Sequence, residues 1–171
     1  EDLESILQLF EGVRCPAVTL HHHYRSRHPD LIEVSNQFMY AGQLQAYPSP
    51  NTHPLARGPS LIVTPDAHYN PGTTRNNRAE AEVLIATLAE RVESAQELGF
   101  SPSFGIVAFS VAQRDCIQEV LDARLRVDKN LADYCANLPE DERLIVKNLE
   151  DIQGDERDII FISVCYGFDE E

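Results

Sequence analysis

The residues with the greatest chemical reach lie between Arg143 and Gly167, in the stretch RLIVKNLEDIQGDERDIIFISVCYG. Two runs rich in β-branched residues, Leu144–Val146 and Ile159–Cys165, bracket a polar loop from Lys147 to Asp158, with Gln153, Gly154, Asp155 and Glu156 at its centre. Ligands of open α/β sheets bind outside the carboxyl ends of strands, so a glycine-bearing polar loop after a strand is a site candidate. Its carboxylates Asp151, Asp155, Glu156 and Asp158 could ligate magnesium as a two-metal nuclease does, or could simply line a solvated turn. Two further polar clusters follow apolar runs: Tyr24 and Arg25, and Ser110 with Gln113. Each has a plainer reading. Arg25 and Arg27 could pair with surface carboxylates, Tyr24 could cover a strand end, and Gln113 could cap a helix. His21, His22, His23 and His28 suggest zinc, but neighbours on a strand point to opposite faces, so no metal site is expected there.

The elements that must position these groups alternate along the chain. Leu3, Ile6, Leu7 and Phe10 have helical spacing, with Gly12 placed to end that helix. Ala17–Leu20 predicts a strand. Pro29 and Asp30 suit a helix start, with Ile32, Ser35, Phe38 and Met39 as its inward face. Prolines and small polar residues mark Ala46–Pro59 as a surface loop, and Asp66–Asn77 as a second, mobile one. Leu61–Val63 predicts a strand between them. Asn77 followed by Glu80 resembles a capped helix start, and Ala81, Leu84, Ile85, Leu88, Ala89 and Val92 form an apolar stripe after it. Gly105–Phe109 predicts a strand, Ile117, Val120, Leu121 and Leu125 a helix, and Asn130–Glu142 an irregular or helical connection. The run Ile159–Cys165 is long enough for a strand buried on both faces. Alternation without tight hairpin signals favours an α/β fold with a doubly wound, mostly parallel sheet flanked by helices. In such a sheet the three polar clusters share one rim.

With 171 residues and 43% hydrophobic content, the chain reads as one domain. Fourteen basic against 28 acidic side chains give a net charge of −14, which excludes a general nucleic-acid-coating surface and confines any such contact to a local patch. The 4 cysteines, Cys15, Cys116, Cys135 and Cys165, are far apart and contain no CxxC pair, which favours reduced thiols. No apolar run approaches the roughly 20 residues of a membrane span and no signal peptide is visible, so a cytoplasmic protein is expected. The chain opens without methionine and stops soon after an apolar strand, the pattern expected of a piece of a longer protein.

Three segments, HHHYRSRHPDLIEVSNQFMY, GIVAFSVAQRDCIQEVL and VKNLEDIQGDERDIIFISVCYG, in this order and spacing, resemble the second RecA-like domain of superfamily-one helicases of the Upf- and Dna2-like branch. The resemblance covers essentially the whole chain. It implies a P-loop NTPase-type fold within an ATP-dependent helicase or translocase on single-stranded DNA or RNA. It also implies ATP with magnesium, held mainly by a first RecA-like domain of the same polypeptide. In that setting Arg25 would reach the γ-phosphate like an arginine finger, and Tyr24 would stack on or beside the adenine. Glu156 would accept hydrogen bonds from the ribose hydroxyls, Gly154 would admit close backbone approach, Gln153 would couple nucleotide to strand, and Asp155 would belong to the same nucleotide-binding set. Ser110, Gln113, Lys147 and Asn148 would meet the nucleic acid, Asn148 departing from the Ser or Thr usual there. No GxxxxGK[ST] phosphate loop exists in this sequence and no strand ends in an Asp-Glu pair. The motif bearing the last helicase arginine is expected beyond Glu171. The chain alone is therefore predicted neither to hydrolyse ATP nor to unwind duplexes. A non-catalytic acidic interaction module is the remaining alternative.

Overall fold

The computed structural model describes residues 5–26, 28–47, 58–65, 68–69 and 72–167. Most of the expected Ala46–Pro59 loop, parts of Asp66–Asn77, and the residues Leu3 and Arg27 lie outside that set. The chain divides into two compact units, Glu1–Ser60 and Leu61–Glu171.

In the first unit, helix α1 (Ile6–Gly12) is capped by the Ser5 hydroxyl, which accepts the Gln8 N–H at 3.3 Å. Gly12 is its last residue, as the spacing predicts. The expected strand Ala17–Leu20 does not form, and Val18 and Leu20 are exposed. Pairing starts later: β1 (His22–His23) runs parallel to β2 (Gln45–Ala46), with helix α2 (Asp30–Met39) between them. This is a short β-α-β unit that leaves Tyr24 and Arg25 at the carboxyl end of β1. The inward face of α2 matches the expected one only in part: Ile32 and Ser35 are half-buried. Phe38 and Met39 are exposed, and the buried residue is Asn36. Its amide donates to the Leu44 carbonyl (3.0 Å) and accepts the Leu44 N–H (2.8 Å), joining α2 to the segment that enters β2.

The second unit contains helix α3 (Arg78–Glu97), β3 (Phe104–Ala108), α4 (Val111–Val127), α5 (Lys129–Asn137), a 3₁₀ turn (Glu140–Glu142), β4 (Ile145–Asn148) and β5 (Ile159–Ser163). Asn77 caps α3 by accepting the Glu80 N–H at 3.0 Å. The predicted stripe Ala81, Leu84, Ile85, Leu88, Ala89 and Val92 is buried throughout. A cap contributes about 1 kcal/mol, whereas each large aliphatic side chain contributes about 1.5–3 kcal/mol on burial. Packing therefore decides this helix and the cap sets its start. Leu61–Val63, expected as a strand, pairs with nothing in the described sheet, and Leu61 and Val63 are exposed.

The sheet order is β4-β3-β5 with all strands parallel, which places Ile106 between Val146 and Phe161. Phe104, Ile106 and Ala108 face the helices and join Leu88, Val92, Ile117, Leu121 and Leu131 in the core. Gly105 and Val107 alternate onto the other face. Ile160 and Ile162 of β5 are exposed, so this strand is buried on one face only, contrary to expectation. It lies at an edge of the described sheet, and α3, α4 and α5 pack on the opposite face.

Chain direction explains the connections. From β3 the chain passes through α4 and α5 on the helical face to β4, then crosses back over β3 to reach β5. Right-handed parallel crossovers require that reversal to change faces. The β4–β5 loop does so: a Cβ built on Gly105 would lie 3.2 Å from Arg157 Cγ, on the face away from the core. Glycine at this position makes room for the crossing side chain. The reversal puts the topological switch point between the carboxyl ends of β3 and β5, where α/β sheets hold their ligands.

Candidate functional site

The switch point is organised by a buried glutamine. Ser110 caps α4 by accepting the Gln113 N–H at 3.2 Å, and this turns the Gln113 side chain inward, where it is 0% exposed. Its amide oxygen accepts the Asn77 N–H (2.7 Å), while its amide nitrogen donates to the Asn77 carbonyl (3.1 Å) and to Ser163 Oγ (3.1 Å). Ser163 in turn donates to Glu80 Oε1 at 2.6 Å, and the same oxygen accepts the Cys165 N–H at 3.1 Å. Five residues from α3, α4 and β5 thus form one polar strut at the carboxyl end of the sheet. Gln113, expected at a nucleic-acid strand, is interior with its side-chain amide bound to Asn77 and Ser163.

Lys147 and Asn148, expected at the head of the loop, are the last two residues of β4. Asn148 is buried and its side-chain oxygen accepts the Asp151 N–H at 2.9 Å, starting the loop turn. Lys147 Nζ lies 2.5 Å from Asp155 Oδ2, with both side chains partly exposed. An ion pair this accessible is worth at most about 1 kcal/mol, so its main effect is to tie the loop back to its own strand. Gly154 adopts φ +94°, a conformation that favours glycine, while a Cβ there would meet open space. Gln153 and Glu156 are exposed. Beyond Glu156 the loop reaches the amino edge of the sheet. Arg157 Nε donates to the Arg143 carbonyl (3.0 Å), which precedes β4, and the Asp158 carboxylate accepts the N–H and hydroxyl of Ser103, both at 2.9 Å, ahead of β3. The loop therefore spans from rim to opposite edge, and Glu156 lies between the Asp155 tether and the Arg157 anchor.

Asp155 and Asp158 are engaged separately, by Lys147 and Ser103. No group of three His, Cys, Asp or Glu side chains among the described residues is arranged to hold a metal ion.

In the first unit, Ser26 donates its backbone N–H to His23 Nε2 (3.1 Å), and its hydroxyl lies 2.7 Å from the same nitrogen. This closes the turn that carries Tyr24 and Arg25. Tyr24 is 90% exposed and Arg25 is also exposed. An aromatic face and a guanidinium side by side on a turn can meet a base and a phosphate.

The sequence profile of a family of AAA domains, AAA_12, matches residues 3–167. This chain belongs to that family. It is 31% identical over 163 residues to the uncharacterized ATP-dependent helicase MG140 of Mycoplasma genitalium, a match covering 95% of this chain and 14% of that protein. The homologue of that helicase in Mycoplasma pneumoniae is 29% identical over 165 residues, with the same coverage. The chain therefore spans a small part of the length of these relatives. No solved structure matches it. This AAA domain has an α/β architecture with parallel strands, and the relatives it is similar to are named as ATP-dependent helicases.

Within this AAA domain, Asn77, Glu80 and Ser163 are the site residues that sequence reasoning missed. Asn77 and Glu80 read only as a local helix start, although Ser163, a hydroxyl inside the apolar run IIFISVC, signals a buried partner. The strut also affects a thiol. Burial, and then the Glu80 carboxylate, push the Cys165 thiol up to about 11. Burial likewise raises Cys116, so neither is a reactive thiolate at neutral pH. All four cysteines are free. No helix among the described residues is long and apolar enough to cross a membrane.

Proposed function

We propose that this AAA domain is the second RecA-like domain of a superfamily-one helicase or translocase, on the Upf- and Dna2-like branch, acting on single-stranded DNA or RNA. One observation carries the reading: relatives named as ATP-dependent helicases align over 95% of the chain. Each motif segment behind the resemblance contains all or most of a parallel strand and continues past its carboxyl end, which supports it further.

Arg25 is assigned to the γ-phosphate of ATP, where its charge offsets that of the transition state. Tyr24 is assigned to the adenine, since a highly exposed ring fits a stacking partner better than a structural cover. Gln153 and Glu156, both exposed, take the coupling and ribose roles. Asp155 holds Lys147, and Gly154 supplies the turn. Of the groups assigned to nucleic acid, Ser110 and Lys147 retain exposed surface, while Gln113 and Asn148 support them from inside. ATP with magnesium is assigned mainly to a first RecA-like domain of the same polypeptide, because this sequence contains no phosphate loop.

The test uses the full-length protein. Arg25→Ala lowers strand-stimulated ATP turnover by about 10³-fold or more, the contribution of an arginine finger, with stability unchanged. Turnover within about threefold of wild type would remove Arg25 from the site. The isolated chain shows no turnover above background.

A further inference from the structure

The chain leaves β5 through an unusual turn. Tyr166 donates its N–H to the Val164 carbonyl at 2.8 Å, closing a three-residue γ-turn whose central residue, Cys165, has φ +71°. γ-Turns of this hand are rare and strained, and a non-glycine residue stays in one only when its surroundings hold it there. Three features hold this one. The Cys165 side chain is 0% exposed, its N–H is bound by Glu80, and Ser163, two residues earlier, is bound by the same carboxylate oxygen.

Glu80 is available for this because Gln113 takes over its ordinary task. A glutamate three residues after an N-cap commonly returns to the cap N–H. Here the Asn77 N–H goes to Gln113, and the Glu80 carboxylate reaches 85 residues along the chain to the exit of β5. Tyr166, just past the turn, is exposed on the rim with its ring edge-on to Tyr69 at 5.3 Å.

We propose that Glu80 is a positioning residue: it clamps the strained turn at Cys165 and so fixes where Tyr166 stands at the carboxyl rim of the sheet. The functional consequence rests on the helicase reading; the clamp itself does not.

The experiment compares Glu80→Ala and Glu80→Gln in the full-length protein by amide exchange and by strand-stimulated ATP turnover. In Glu80→Ala the Cys165 amide exchanges roughly ten- to a hundredfold faster, the range of a lost hydrogen bond to a charged group, while β3 amides keep their protection. Glu80→Gln, which retains an acceptor oxygen, changes it by less than about tenfold. Adding Cys165→Gly to Glu80→Ala slows exchange at Tyr166 again, because glycine adopts the turn without strain. Turnover in Glu80→Ala falls about tenfold in kcat with the KM for ATP within about twofold, and Glu80→Gln restores most of it. Cys165 exchange within about twofold of wild type, or β3 exchange accelerating equally, would overturn the clamp. Unchanged turnover with accelerated Cys165 exchange would overturn its positioning role. Absence of turnover in the wild-type protein would sink the helicase reading, and the exchange result would still decide the clamp.

Discussion

Replacing Gln113 by leucine separates an internal strut from a surface contact. The side chain is fully buried and makes three hydrogen bonds: it accepts from Asn77 N, and donates to Asn77 O and Ser163 Oγ. Leucine has nearly the same volume, so cavity formation is a minor cost and the lost polar contacts dominate. Each buried donor or acceptor left without a partner costs about 1–3 kcal/mol. Ser163 keeps its bond to Glu80 and the Asn77 carbonyl still accepts the Ala81 N–H, so one orphaned group, the Asn77 N–H, carries the effect, giving roughly 1–3 kcal/mol. A domain of this size has roughly 5–15 kcal/mol in total, and about 2–4 °C of melting temperature per kcal/mol. Gln113→Leu should therefore lower the melting temperature by roughly 5 °C and shift the urea midpoint. Circular dichroism on the purified chain measures both. A side chain whose main role is to touch nucleic acid would instead cost affinity and leave the midpoint alone. Destabilisation below about 1 kcal/mol would refute the strut.

Other expectations follow from single groups. Gly154→Ala places a Cβ in open space, so only the left-handed backbone opposes it. The cost is about 1–2 kcal/mol by urea unfolding, and a value above about 3 kcal/mol would point to a crowded contact instead. Tyr134 donates its hydroxyl to the Pro102 carbonyl, and burial first, with Cys135, Asp158 and Glu142 nearby, pushes it up to about 12. A folded-state value above the unfolded one, near 10, gives stability that is complete below pH 10 and lost as pH rises towards 12. Tyr134→Phe costs about 1 kcal/mol at neutral pH and flattens that alkaline loss. Urea midpoints at pH 8 and pH 11 decide it, and an unchanged slope in the variant would contradict the assignment.

Much of the second unit was legible because its signals are local. The stripe from Ala81 to Val92 repeats at helical period, and its residues are buried as a set. The first unit was less so. Apolar spacing along Asp30–Met39 shows that a helix can form, but not which side meets a neighbour, and there the buried residue is polar, Asn36. Ala17–Leu20 and Leu61–Val63 have strand composition and no pairing in the described sheets. Composition reports what a segment can do, whereas a ladder needs a second strand in register. The β4–β5 loop was placed at the rim by its start. A parallel sheet requires such a loop to return to the amino edge, which is where Asp158 meets Ser103.

The site divides along a line that sequence could not draw, since its bonds join residues 36 to 85 positions apart. Segments that resemble helicase motifs contain two kinds of residue. Tyr24, Arg25, Gln153 and Glu156 are exposed and can meet a ligand. Gln113, Asn148 and Ser163 are buried and hold the turns from which the loops depart. Both kinds would be fixed by selection on the same activity, because a guanidinium or carboxylate is useful only where its backbone is held. Motif membership therefore does not by itself mean contact with nucleotide or strand. Burial and hydrogen-bond commitment separate the two, and they predict different failures: loss of turnover with stability intact for Arg25, and loss of stability for Gln113.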